Sequence, residues 1–323
     1  MGSLFSSCSV TPEAASSIDH LTDEELYGLI KKRDESNVVR PSNHWNTFIT
    51  DTVWRISPDA VVKRTYSATE AFMMSYVSSH TSIPIPKVRR ILYEYPSNPH
   101  CETWWIVMDY IDGDVLESAW KSMTTWRRLC VMWTVRGYIR ELQKAPIPNP
   151  DVPGPFDASG KSYLCRGRYF TDDGAGPFNT YNAMAAWFDR RRFDNLAFIH
   201  ARQGILYACP KFDASHPLVL CHMDLHMRNL VVDKSGRLWI IDWANAGAFP
   251  PWLEYAQLVL WGRAARQEAR PPKLWLWSAR YMIGNFSKYT TGYLDKLQWA
   301  FDRPAYYDFA PLDYFEKLGL KVD

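Results

Sequence analysis

The sequence predicts an α+β chain with a sheet-rich first part up to about Tyr110 and a mainly helical remainder. Three observations carry that expectation. Between residues 45 and 110 the β-branched and aromatic residues fall into short runs separated by Pro, Asn, Asp and Ser. After Asp112-Gly113 the apolar residues recur over helix-length stretches, the longest over 125–144. Late in the chain a polar loop, His222 to Asn229, precedes two apolar runs that flank Lys234-Ser235-Gly236-Arg237, a tight-turn sequence.

Residues 1–17 are small and Ser-rich and read as a tail. Thr22-Asp23-Glu24-Glu25 is a Thr-x-x-Glu capping box, so a helix starts there and runs to about Arg33. Strands are expected over 45–50, 52–56 and 60–65, the last two joined by a turn at Ser57-Pro58-Asp59. Glu70 opens a helix to His80. Ile83-Pro84-Ile85-Pro86 must be extended, because each proline pushes its predecessor out of the α region. Strands follow over 88–95 and 103–110. The 125–144 helix stops before Ala145-Pro146, and 146–180, rich in Pro, Gly and Asp, is a long irregular segment of the kind that is usually functional or mobile. Helices are expected over 181–193, 251–266, 273–286 and 291–301.

The 323 residues are 47% hydrophobic and 22% charged, enough for an ample core and against general disorder. A formal charge of +2 with no long basic run proposes no nucleic-acid partner. The six cysteines are scattered without a Cys-x-x-Cys pair, which argues against a zinc site or disulfide framework and fits a reducing, cytoplasmic setting. No secretory signal or membrane-length apolar run is present. Met1-Gly2-Ser3-Leu4-Phe5-Ser6 fits a myristoylation pattern and Cys8 would take a second acyl chain, giving weak membrane association; a Gly-Ser start left by cloning reads the same.

Residues 220–243 hold the densest chemistry. His222-x-Asp224-Leu225-x-x-x-Asn229 is the spacing of a kinase catalytic loop, and the hairpin after it delivers Asp242. Centring the turn on Ser235-Gly236 pairs position i with 471 − i and sets Asn229 opposite Asp242, with Cβ atoms about 4.5–5.5 Å apart. An amide oxygen and a carboxylate at that spacing can share a hard cation such as Mg²⁺. Asp224 is then placed to accept a proton from an attacking hydroxyl. An Asp-x-x-x-x-Asn spacing alone is common in loops, and a lone histidine is usually a packed one. His222 becomes a candidate catalytic residue because it stands in order with both aspartates and the asparagine. His226 and Arg228 have no assignable chemistry and read as structural or substrate-facing.

With these motifs placed, the chain resembles the aminoglycoside phosphotransferase family in its broad, fungal-type form, related to choline kinases and protein kinases. The likeness spans about 54–260 and rests on Ala60-Val61-Val62-Lys63, Thr81 to Val88, Cys221 to Asn229, and Ile240-Ile241-Asp242-Trp243 followed by Ala246-Gly247. It implies a bilobal protein-kinase-like fold, ATP or GTP with Mg²⁺, and a small-molecule hydroxyl as acceptor. It also implies a tail and helix over 1–40, a nucleotide-binding lobe over 41–110, and a second lobe over 111–323 carrying the catalytic loop, metal site and acceptor region. Lys63 matches the strand lysine that contacts nucleotide phosphates, Glu70 its partner on the following helix, and Met108, Asp109 and Tyr110 the hinge that binds the base through backbone groups.

The chain departs from the pattern in two places. No glycine lies between Gly28 and Gly113, so a Gly-rich phosphate loop is absent and the 43–51 segment must use polar side chains instead. Met223 stands where a glycine is usual, and Ala244-Asn245 replaces an acidic-apolar pair. The readings kept open are a small-molecule O-phosphotransferase, a protein kinase, and a kinase fold repurposed for binding. For the acceptor, 146–180, 181–193 and the aromatic C-terminal stretch with Asp302, Asp308, Asp313 and Glu316 are expected to form a pocket opposite Asp224, more apolar than an aminoglycoside needs.

Overall fold

The computed structural model describes residues 15–40, 53–65, 67–94, 103–171, 173–264 and 271–322. Gly2, Cys8, the strand expected over 45–50 and the 43–51 segment lie outside the described residues. The α+β class holds, and the chain divides into two compact units, 1–68 with 87–111 and 69–86 with 112–323.

In the first unit, helix α1 (Asp23–Lys31) begins at the expected box: Glu25 N–H donates to Thr22 Oγ1 and Thr22 N–H donates to the Glu25 carboxylate. Strands β1 (Val38–Arg40), β2 (Val53–Arg55) and β3 (Ala60–Thr65) follow. The chain then forms α2 (Thr69–His80), which belongs to the second unit, and returns as β4 (Val88–Glu94) and β5 (Thr103–Asp109). The sheet is antiparallel throughout in the order β1-β2-β3-β5-β4. Leu26 and Ile30, one turn apart on α1, pack with Ala60, Val62, Trp105 and Val107. Side chains alternate along a strand, so Val61, Lys63, Ile106 and Met108 share the opposite face. The register agrees, pairing Lys63 with Ile106 and Val61 with Met108.

The second unit continues with β6 (Gly113–Val115), α3 (Leu116–Ala119), α4 (Thr125–Leu142), α5 (Tyr181–Gln203), β7 (Val219–Cys221), β8 (Leu230–Asp233), β9 (Leu238–Ile240) and β10 (Gly247–Phe249). Helices α6 (Pro251–Ala264), α7 (Lys273–Met282), α8 (Ser287–Thr291), α9 (Gln298–Phe301) and α10 (Tyr314–Lys317) complete it. β6-β8-β9 form one small sheet, and β7 pairs with β10.

Three elements differ from expectation. Helix α5 runs ten residues beyond Phe193, because Asp194 does not end it: Arg190 and Arg191 pair with that buried carboxylate from within the helix, and Gly204, left-handed at φ 67°, caps the end instead. The helix expected over 291–301 is broken near Gly292 into α8, a 3₁₀ turn at Leu294–Lys296 and α9. The 146–180 segment is packed rather than loose. Gly154 pairs with Ala248 of β10, and an added Cβ on Gly247 would fall 2.5 Å from Gly154 backbone, so the approach requires glycine there. Cys165, Tyr169, Phe170 and Phe178 from that segment join Phe188, Trp252, Phe301 and Phe315 in one aromatic core. No helix among the described residues is long and apolar enough to cross a membrane.

Candidate active site

The loop after β7 is held from behind by α6. Met223 adopts a left-handed backbone, φ 63°, a conformation that costs a side-chain-bearing residue energy unless its surroundings enforce it. Two polar side chains one turn apart on α6 enforce it. Glu254 Oε2 accepts the backbone N–H of His222 at 2.6 Å and of Met223 at 3.1 Å, while Gln257 Nε2 donates to the Met223 carbonyl at 2.8 Å. Glu254 is buried, its Oε1 has no hydrogen-bond partner among the described residues, and burial pushes its pKa up to about 7 against those two amides.

His222 is fixed at both ring nitrogens. Nδ1 accepts the Asp224 N–H at 3.2 Å, which makes Nε2 the protonated nitrogen, donating to the Ile241 carbonyl at 3.1 Å. The ring stands edge-on to Trp243, and burial lowers its pKa, so it stays neutral. Its place is to tie the loop to the strand before Asp242.

Asp224 is surrounded by donors. Asn229 Nδ2 lies 2.7 Å from both its carbonyl oxygen and its Oδ2, Arg228 spans Oδ1 and Oδ2 at 3.0 and 3.1 Å, and His226 Nε2 is 3.1 Å from Oδ1. Burial alone would raise its pKa. The charge and hydrogen bond of His226, with the charge of Arg228, outweigh that and hold the carboxyl below the usual range. The Asp224 side chain is 15% exposed and Arg228 28%, whereas His226 and Asn229 are buried. The open approach to the carboxylate is therefore on the Arg228 side.

The hairpin corrects one expectation. β8 and β9 pair as 230 with 240, 231 with 239 and 232 with 238, so position i meets 470 − i and Asn229 lies opposite Ile241, not Asp242. Ile241 N–H donates to the Asn229 carbonyl at 2.9 Å. The cause is Gly236 at φ 88°: Gly236 N–H donates to Asp233 O and Asp233 N–H to Arg237 O, giving a three-residue loop where a two-residue one was expected. Asp242 follows one residue later, with φ 68°. The donor chemistry still fits a hard cation. Asn229 Nδ2 is committed to Asp224, and an amide oxygen with a carboxylate is the donor type a hard cation takes.

In the first unit Lys63 is buried on β3, on the sheet face shared with Met108. Asp109 is tied to Arg89, which also reaches Asp19. The backbone N–H groups of Asp109 and Tyr110 already serve the carbonyls of Lys87 and Asp59. Glu70 is buried in the first turn of α2, in the second unit.

On the expected acceptor side, Gly167 of the 146–180 segment lies beside Gln257 and Asn245, where an added Cβ would be 3.4 Å from Gln257 Nε2 and 3.6 Å from Asn245 Nδ2. Of the aromatic residues in that segment and the C-terminal stretch, Tyr169, Phe170, Phe178, Phe301 and Phe315 are core, while Tyr306 and Tyr307 are 83% and 40% exposed. Asp308 is paired with Arg190 and Arg191, and Asp313 with Lys317.

A model of the phosphotransferase enzyme family matches residues 42–281. No curated protein matches the chain. Among solved structures, the chain is similar to the aminoglycoside phosphotransferase APH(4)-Ia as a thermostable mutant in ternary complex with AMP-PNP and hygromycin B. The identity is 19%, covering 87% of this chain and 96% of that one, with a TM-score of 0.45. It is also similar to APH(2")-IIIa in complex with GDP and kanamycin, at 12% identity, 86% and 88% coverage and a TM-score of 0.49.

Proposed function

The chain belongs to the phosphotransferase enzyme family, in keeping with its α+β, protein-kinase-like fold, and we propose that it transfers a phosphoryl group from ATP or GTP, with Mg²⁺, to a hydroxyl of a small molecule. One observation carries this reading: a partly exposed carboxylate, Asp224, is kept ionised and oriented by Asn229, His226 and Arg228 on a loop whose backbone Glu254 and Gln257 clamp.

Phosphoryl transfer demands positioning and charge stabilisation more than covalent chemistry, and the loop is built for positioning. Asp224 accepts the hydrogen bond of the acceptor hydroxyl and takes its proton at a carboxylate oxygen as the new P–O bond forms, while the bond from the terminal phosphorus to the bridging oxygen breaks and ADP or GDP leaves. The hydroxyl enters on the Arg228 side, displacing or sharing one guanidinium contact. Lys63 supplies positive charge to the nucleotide phosphates, and Glu70 is assigned to the nucleotide side with it. Asn229 and Asp242 would hold Mg²⁺, which would offset phosphate charge. Against a peptide acceptor, β10 ends at Phe249 and α6 begins at Pro251, leaving no room for an activation segment.

Calorimetry of ATP and GTP with and without Mg²⁺ tests the nucleotide half of this proposal. Wild type should bind in a Mg²⁺-dependent manner and Asp242→Ala should lose that dependence. Equal affinity in the two proteins would remove Asp242 from the metal site.

A further inference from the structure

Helices α4 and α7 pack side by side and turn an unusual face outward. On α4, Trp126, Leu129 and Trp133 fall at i, i+3 and i+7, one stripe along the helix, and on α7 Leu274, Trp277 and Tyr281 do the same. Trp126, Trp133 and Trp277 are 74%, 69% and 74% exposed, so three indoles stand in solvent on rigid helices. The stripes adjoin: the Trp133 and Tyr281 rings are 6.2 Å apart, and the Arg136 guanidinium lies 4.3 Å from the Tyr281 ring centre.

The charge on this face has one sign. The two helices carry Arg127, Arg128, Arg136, Arg140, Lys273 and Arg280 against a single carboxylate, Glu141, which is engaged by Ser82. Among the described residues none of the six cations is in an ion pair. A second copy of the chain is a poor cover, since a two-fold contact would set this excess of cations against itself. A protein partner is bound best by aromatic residues enclosed at the centre of a patch. Here the three indoles are spread, exposed, along two helices that also carry exposed cations.

We propose that the α4–α7 face docks on an anionic lipid surface. Indole and phenol rings favour the headgroup boundary, where their apolar body and polar edge are both satisfied, and exposed Arg and Lys beside them attract anionic headgroups. A cavity of about 340 Å³ beside the face, lined by Tyr255, Val259, Leu276, Trp277 and Arg280, offers apolar wall next to a cation, the pairing that a lipid acyl chain and its headgroup need. The interaction is peripheral.

The test is co-sedimentation of the full chain, purified from bacteria so that it carries no acyl group, with phosphatidylcholine vesicles and with vesicles enriched in phosphatidylserine. The protein should sediment with the anionic vesicles only, less so as salt rises, with a blue shift of tryptophan emission. Arg127→Glu/Arg140→Glu/Arg280→Glu should weaken partitioning roughly 100-fold, and Trp126→Ser/Trp133→Ser/Trp277→Ser about tenfold or more. Because these positions are exposed, both variants should keep the wild-type melting temperature. Absence of binding to anionic vesicles, equal binding to neutral ones, or unchanged binding by both variants overturns the proposal. So does a dimer, or binding to single-stranded nucleic acid, that the tryptophan variant abolishes while vesicle binding persists.

Discussion

The side-chain amide of Asn229 donates to both the carbonyl oxygen and the carboxylate of Asp224, at 2.7 Å in each case. One residue thus fixes the orientation of the candidate base.

Asn229 and Asp224 should therefore behave as a unit. Asp224→Asn should lower turnover by roughly 10²–10⁴-fold, the usual worth of a general base, while leaving nucleotide affinity nearly unchanged. Asn229→Ala should lower turnover and also weaken Mg²⁺-dependent nucleotide binding. The double variant should lose less than the product of the single losses, because each removes what the other positions. Multiplicative losses in a kinetic cycle would separate the two residues.

Glu254 should report itself through pH. Its pKa is raised from 4.5 to about 7, so between those values the folded protein holds a proton that the unfolded chain releases. Stability then falls as pH rises from about 4.5 through about 7, and Glu254→Gln should remove that component. Turnover should move the other way, rising as the carboxylate forms and takes both loop amides. In Glu254→Gln the rise should be absent and the Michaelis constant for nucleotide unchanged. Melting curves and pH–rate profiles from pH 5 to 8 check both signs.

Lys63 is a buried cation on the sheet face that bears Met108. Lys63→Met keeps the aliphatic volume and removes the charge. It should raise the apparent Michaelis constant for ATP and lower turnover. Unchanged kinetics would move the phosphate contact to another residue, Arg64 being the next to substitute.

Polycationic aminoglycosides should be poor acceptors. The expectation now rests on charge rather than aromatic content: Arg228 covers the approach to Asp224, and Asp308 and Asp313 are already paired with Arg190, Arg191 and Lys317. Steady-state assays with kanamycin-type compounds check this, and efficient phosphorylation would contradict it.

Much of the fold was legible because its signals are local. The Thr22–Glu25 box, the proline-enforced 83–86 stretch and the β-favouring runs each act within a few residues. The hairpin register was missed by one, since a Gly at 236 serves either a two-residue turn or a three-residue loop and only the formed hydrogen bonds decide. Helix α5 was expected to stop at Phe193, and its end lies ten residues further on, before the left-handed Gly204. In the candidate site, Asp224, Asn229 and Asp242 were visible as a spaced motif. Glu254 and Gln257 were not, because they lie some thirty residues away from the loop they clamp. The signal that would have found them is two polar residues at i and i+3 in an otherwise apolar helix.

The central claim is phosphoryl transfer that depends on Asp224. It is tested most directly by incubating the protein with ATP or GTP, Mg²⁺ and a small-molecule extract, beside an identical reaction with Asp224→Asn, and comparing products by mass spectrometry. A metabolite should gain the mass of one phosphoryl group with wild type, at a level reduced at least about 100-fold by the substitution. Absence of any phosphorylated product, or equal amounts from the two proteins, would contradict it.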